Sequence, residues 1–105
     1  MLMFGKLRAD GNKTSGYIAK SEADVASDIA YFSSSGNLSW WDLPEEMRYW
    51  ITSEMDVVKK YPVWIRKYDP NKYPIEMYIP GHYSKDQIQT YVPYLDIIPV
   101  SAYAS

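Results

Sequence analysis

The sequence predicts an α+β fold, a small antiparallel sheet with two to three helices packed on one face. Three observations predict it. β-rich runs flank turn residues at Asp10-Gly11-Asn12 and again at Asp69-Pro70-Asn71. Two segments between these turns repeat apolar residues at helical spacing. The resulting order, ββ-α-α-ββ-α, buries its apolar faces most economically with the helices laid on one side of the sheet.

Residues 2–8 read as a strand that Gly5 weakens. The Asp10-Gly11 pair favours a hairpin, with residues 16–20 as the returning strand. Residues 21–34 read as a helix. Ser21 is its N-cap, Asp24 stands where a capping box has Glu, and Glu22 and Asp28 also favour the helix dipole. Val25, Ile29 and Phe32, with Ala26 and Ala30 beside them, give it one apolar face. The short connector 33–37 carries Gly36, which suits the helix end.

Asp42 starts a second helix, with Pro44, Glu45 and Glu46 in the first turn. Met47, Ile51, Met55 and Val58 form its apolar stripe, with Trp50 alongside. Ile29 and Ile51 are the expected core positions. Lys59 and Lys60 fall in the last turn and Pro62 stops the helix. A second hairpin follows, with strands at 63–68 and 75–79, the latter placing Ile75, Met77 and Ile79 on one face. Pro74 and Pro80 confine that strand to a short or edge position. Ser84 and Gln87 form a capping-box pattern for a short helix, with Ile88, Tyr91, Val92 and Leu95 at helical spacing. Pro93 ends it. Residues 97–100 read as a last extended segment and 101–105 as a loose tail.

A chain of 105 residues implies one domain. Hydrophobic residues at 47% and charged residues at 23% are globular proportions, which argues against disorder. No apolar run approaches the roughly 18 residues of a membrane span, and residues 1–5 are too short a run for a signal peptide. Cysteine is absent, which excludes disulfides, Cys-based zinc sites, iron–sulfur clusters and thiol nucleophiles. The expectation is a soluble, cytoplasmic protein without cofactor or metal. Eleven Tyr, four Trp and two Phe are many for this length. Eleven phenols must be satisfied or exposed, so several belong at the surface. They form either a binding face or a cap over a small core, and a homodimer through them is one form of the former.

The formal charge of −2 hides a segregation. Residues 21–58 carry eight carboxylates against Arg48, whereas residues 59–73 carry Lys59, Lys60, Arg66, Lys67 and Lys72 against Asp69. In the plainest reading the acidic helices and basic strands simply attract each other. A first functional reading gives the acidic region to a basic protein partner. Trp40, Trp41, Asp42, Glu45 and Glu46 would carry it, because carboxylates steer encounter and Trp is enriched at hot spots. Adjacent residues rarely both face inward, so one of the two tryptophans belongs to the core. A second reading makes the hairpin 59–73 a single-stranded nucleic-acid binder. There Lys59, Lys60 and Arg66 track phosphates while Trp64 and Tyr68 stack on bases. The acidic balance of the whole chain ranks this reading second.

Enzyme signatures are missing: there is no glycine-rich phosphate loop, no G-x-S-x-G elbow and no H-E-x-x-H. His82, with Ser84 and Asp86 close by, is the one acid–base candidate, but such triads are recognised by geometry and not by nearness in sequence. Pro80-Gly81-His82-Tyr83 also reads as a surface loop. The residues carry no motif of a known family. The sequence therefore points to a small non-enzymatic protein-binding module, an inhibitor or regulator. In size and composition it is similar to phage- or mobile-element inhibitors and immunity proteins.

Overall fold

The computed structural model describes residues 3–97. Five short strands and three helices follow in the order β1 (Met3–Lys6), β2 (Asp10–Asn12), β3 (Gly16–Ile18), α1 (Glu22–Ser33), β4 (Leu38–Asp42), α2 (Thr52–Tyr68), β5 (Ile75–Glu76) and α3 (Lys85–Gln89), with a 310 turn at Val92–Tyr94. The fold is α+β.

The main sheet has the order β1-β4-β5, and both of its pairings are parallel. The antiparallel sheet expected from the sequence is confined to β2 and β3, where Asp10, Gly11 and Asn12 pair with Ile18, Tyr17 and Gly16. The reason is connectivity. A helix lies between β1 and β4 and another between β4 and β5, and a helical crossover returns the chain to the same end of the sheet. The Asp10-Gly11-Asn12 signal is also displaced. Those residues are strand, and the turn lies just beyond, where Asn12 Oδ1 accepts from Thr14 N (2.9 Å) and Ser15 N (2.8 Å).

β4 replaces what the sequence presents as a linker and the start of a helix. It is the central strand, with Trp41 paired to Gly5 on one side and to Ile75 on the other. The second helix begins at Thr52, ten residues after Asp42, and runs through Pro62 to Tyr68. The strand expected at 63–68 is therefore helix. Pro62 does not stop α2 because Val57, Val58, Tyr61 and Ile65 form one continuous buried face across it. Burial of such side chains, about 1.5–3 kcal/mol each, outweighs the roughly 3 kcal/mol cost of an interior proline. Ile29 is fully buried as expected, whereas Ile51 caps α2 and is only half-buried. Ile75, Met77 and Ile79 are all buried. Both serine caps form: Ser21 Oγ accepts from Asp24 N, and Ser84 with Gln87 makes a complete capping box. Of the extended segment expected at 97–100, Ile97 forms a parallel bridge with Glu76, and the rest of it and the tail, like Leu2, lie outside the described residues.

Alternation along β4 divides its tryptophans. Trp41 faces α1 and packs edge-on against Phe32, with ring centroids 6.1 Å apart. Gly5 lies under its ring, where a Cβ would overlap the indole. Trp41 Nε1 donates to Asp69 Oδ2 at 2.8 Å, and that buried carboxylate also accepts from Asn71 N and Tyr73 N. Trp40 faces the other way and stacks on Phe4 at 5.6 Å. The two fully buried tyrosines satisfy their phenols. Tyr61 donates to Arg8 O and accepts from Lys20 N, and Tyr91 donates to Met47 O.

Candidate functional site

β1 and β4 run parallel, so their carboxyl ends open into neighbouring loops, 7–9 and 43–51. Crevices beyond the carboxyl ends of parallel strands are common ligand positions. Two cavities flank loop 43–51, one of about 210 Å³ and one of about 450 Å³. Glu45 and Glu46 line both. Of the five residues expected to form a protein-binding surface, these two are exposed here, and Trp41 is core with no exposed surface. Asp42 is buried on β4, and Trp40 is half-buried on the open sheet face.

The loop is anchored from below. Arg48 and Glu54 form an ion pair in which the Glu54 side chain has no exposed surface. Glu54 Oε1 accepts from Arg48 N (2.8 Å) and Arg48 Nε (2.9 Å), while Oε2 accepts from Tyr17 N (3.0 Å). Arg48 also donates to Lys13 O at 2.9 Å. Burial pushes the Glu54 carboxyl up, but these hydrogen bonds outweigh it and hold it below the usual carboxylate range.

At the carboxyl end of the sheet, Lys6, Asp42 and Glu76 stand in one row of the register. Lys6 Nζ lies 3.3 Å from Asp42 Oδ2 and 3.5 Å from Glu45 Oε1. Burial raises the Asp42 carboxyl, and Lys6 opposes the shift. Burial also raises Glu76, followed by the charge of Asp42. Like Glu76, Glu46 has no ion-pair partner among the described residues. Its φ is 54°, a left-handed conformation that non-glycine residues adopt sparingly. Its N–H donates to Tyr78 O at 3.2 Å.

The smaller cavity has an aromatic wall. Trp50 is 58% exposed and meets Tyr83 at 6.5 Å between centroids, with the planes 55° apart. Tyr83 in turn stacks on Tyr91, and Tyr49 packs edge-on against Trp50, Tyr83 and Tyr91. His82 lines the same cavity. Sequence reasoning set Trp50 beside an apolar stripe, read Tyr83 only as part of a surface loop with His82, and missed Tyr17. The paired rings Tyr49-Trp50 and His82-Tyr83 were the available signal, but only the fold brings them together.

The basic aromatic hairpin does not exist. Lys59, Lys60, Trp64, Arg66 and Tyr68 all lie on α2. On a helix, Arg66 diverges from the side shared by Trp64 and Tyr68, so the expected Trp-Arg-Tyr stacking face is not formed. Trp64 packs against Tyr61 instead. Lys67 pairs with Glu22 on α1 at 2.8 Å and Arg66 with Asp96 at 3.4 Å. At the other candidate, Ser84 Oγ accepts from Gln87 N as a helix cap, and neither Ser84 nor Asp86 is hydrogen-bonded to His82. Among the described residues no cluster of three or more His, Asp or Glu is placed to hold a metal ion, and no helix is long and apolar enough to cross a membrane. No protein-family model matches the chain, and neither does any curated protein or solved structure.

Proposed function

We propose that this protein is a small non-enzymatic protein-binding module that inhibits or regulates a partner, and that loop 43–51 with its aromatic wall is the recognition surface. The observation that carries the reading is Glu46. An exposed carboxylate without an ion-pair partner among the described residues is held on left-handed backbone, between two cavities, beside the exposed Trp50. Such backbone costs about 1–3 kcal/mol and concentrates at functional sites. Exposed Trp beside carboxylates suits a hot spot for a basic partner, which the carboxylates also steer. Inhibitors of the phage or mobile-element kind, and immunity proteins, are the setting such a module fits.

The test is affinity capture from lysate, with and without nuclease, using the wild-type protein, Trp50→Ala, Glu46→Asn and the α2 control Lys59→Glu. One stoichiometric protein, retained after nuclease and lost with the two loop variants alone, is the expected result. A partner lost only with Lys59→Glu would move the interface to α2. Binding that disappears with nuclease would replace the protein partner with nucleic acid.

A further inference from the structure

We propose that the outer faces of α1 and α2 form a self-association surface, on which α1 of one copy of this chain lies over α2 of a second copy. α1 carries Glu22, Asp24 and Asp28 and no cation. On α2 the exposed residues between Lys59 and Lys67 are Lys59, Lys60, Val63, Arg66 and Lys67, which share one arc of about 120° around the helix. Asp56 lies on the same arc at its amino end and is half-buried. The stripe is positive whether or not its ion pairs are counted. With Glu22 and Asp96 included, the cations still outnumber the carboxylates; with the Lys67–Glu22 and Arg66–Asp96 pairs set aside, Lys59 and Lys60 remain against Asp56. Asp24 and Asp28 on α1, like Lys59 and Lys60 on α2, have no ion-pair partner among the described residues.

The two faces meet at a seam. Lys67 Nζ and the Tyr68 hydroxyl both donate to Glu22, at 2.8 and 2.6 Å, so an acidic half and a basic half adjoin on one surface. A two-fold axis along that seam exchanges the halves and lays acid over base twice, which is the self-complementarity an isologous dimer needs. Each half also has an apolar centre, Tyr31 at 74% and Val63 at 60% exposure. The exposed neighbours of Tyr31 on α1 include Ala23, Ser27 and Ala30, short side chains that let a second helix approach closely. A nucleic-acid strand suits the stripe less. It would lie beside the carboxylates of α1 and find no free ring, because Trp64 packs on Tyr61 and Tyr68 is held by Glu22. A face about 18 Å long and two helices, about 20 Å, wide is roughly half of the 800 Å² per partner of a standard interface. The dimer is therefore weak, and its exposed charges make it salt-sensitive. None of these residues lines the cavities at loop 43–51, so the recognition surface stays separate.

Sedimentation equilibrium of the full chain, up to about 1 mM at low ionic strength, should show a reversible dimer with Kd on the order of 100 μM. Raising salt to about 0.5 M should weaken it several-fold. The decisive step is a charge swap. Asp24→Lys with Asp28→Lys, and separately Lys59→Glu with Lys60→Glu, should each give a folded monomer by circular dichroism. Mixing the two variants in equal amounts should restore a dimer, because each altered helix then faces its opposite on the other chain. Asp24→Lys mixed with Lys60→Glu, both at exposed positions, repeats the swap if a double variant fails to fold. A wild-type chain that stays monomeric throughout, a dimer that survives in either variant alone, or a mixture that stays monomeric would each overturn the inference. A monomeric chain whose Lys59–Lys67 amides shift with oligo-deoxythymidine would overturn it in favour of a phosphate backbone on the stripe.

Discussion

Glu54 holds Arg48 from both ends, accepting its backbone N–H at 2.8 Å and its Nε at 2.9 Å on a single carboxylate oxygen. The second oxygen takes Tyr17 N, so one buried side chain at the start of α2 fastens loop 43–51 to the β2–β3 hairpin. This joint sets the floor on which Glu46 and Trp50 stand. Breaking it should loosen the proposed recognition surface as well as the fold.

Glu54→Gln should lower stability by about 1.5–3 kcal/mol, the scale of hydrogen bonds to a charged group. It should also increase hydrogen exchange at Tyr17 and Arg48 amides. Urea unfolding and exchange measured on the same protein check both. Wild-type stability with unchanged exchange at those two amides would show that the joint is not structural.

Acid titration should reveal carboxylates of opposite sign, Glu54 on one side and Glu76 with Asp42 on the other. Glu54 is held below the usual value of 4.5, so its stabilisation is present above the unfolded value and is lost as pH falls through the folded one. Glu76 is raised above 4.5 by burial and then by Asp42, and Asp42 is raised from 3.8 chiefly by burial. Their contribution is present below the unfolded value and is lost as pH rises through the folded one. Stability should therefore rise as pH falls from neutrality toward the carboxylate range, then decline below it. Urea midpoints across pH check this: Glu76→Gln should flatten the rise and Glu54→Gln should flatten the decline.

Gly5→Ala should destabilise by about 1–3 kcal/mol through overpacking, because the added Cβ overlaps the Trp41 ring. Near-UV circular dichroism should change with it as the indole shifts. Gly36→Ala, where an added Cβ meets nothing within 4 Å but φ is 81°, separates backbone strain from steric overlap: it should cost stability while leaving the Trp41 signal intact.

Trp50→Ala should leave stability within about 0.5 kcal/mol of wild type, as exposed substitutions usually do. Glu46→Asn should keep or raise stability, since Asn accepts left-handed backbone more readily than Glu. Thermal melts check both. A large loss in either variant would mean that these side chains serve the fold and not a partner.

The sequence by itself determined the elements whose signals are local. Ser21 and Ser84 cap the helices their spacing announced, Ile29 is core, and Ile75, Met77 and Ile79 share a buried side. It also set Glu45 and Glu46 at the surface, because adjacent charged residues rarely find burial. The tertiary structure decided the rest. Leu38–Asp42 carries no strand signal stronger than the helix start that follows it, and it becomes the central strand because β1 and β5 pair with it from both sides. Pro62 reads as a stop, yet α2 continues because Val58, Tyr61 and Ile65 bury one face across it. The sequence expects one of Trp40 and Trp41 in the core without saying which, and pleating turned Trp41 inward over Gly5 and onto Asp69. The cavity at Trp50 and Tyr83 joins residues more than thirty positions apart, and no local pattern encodes such a meeting.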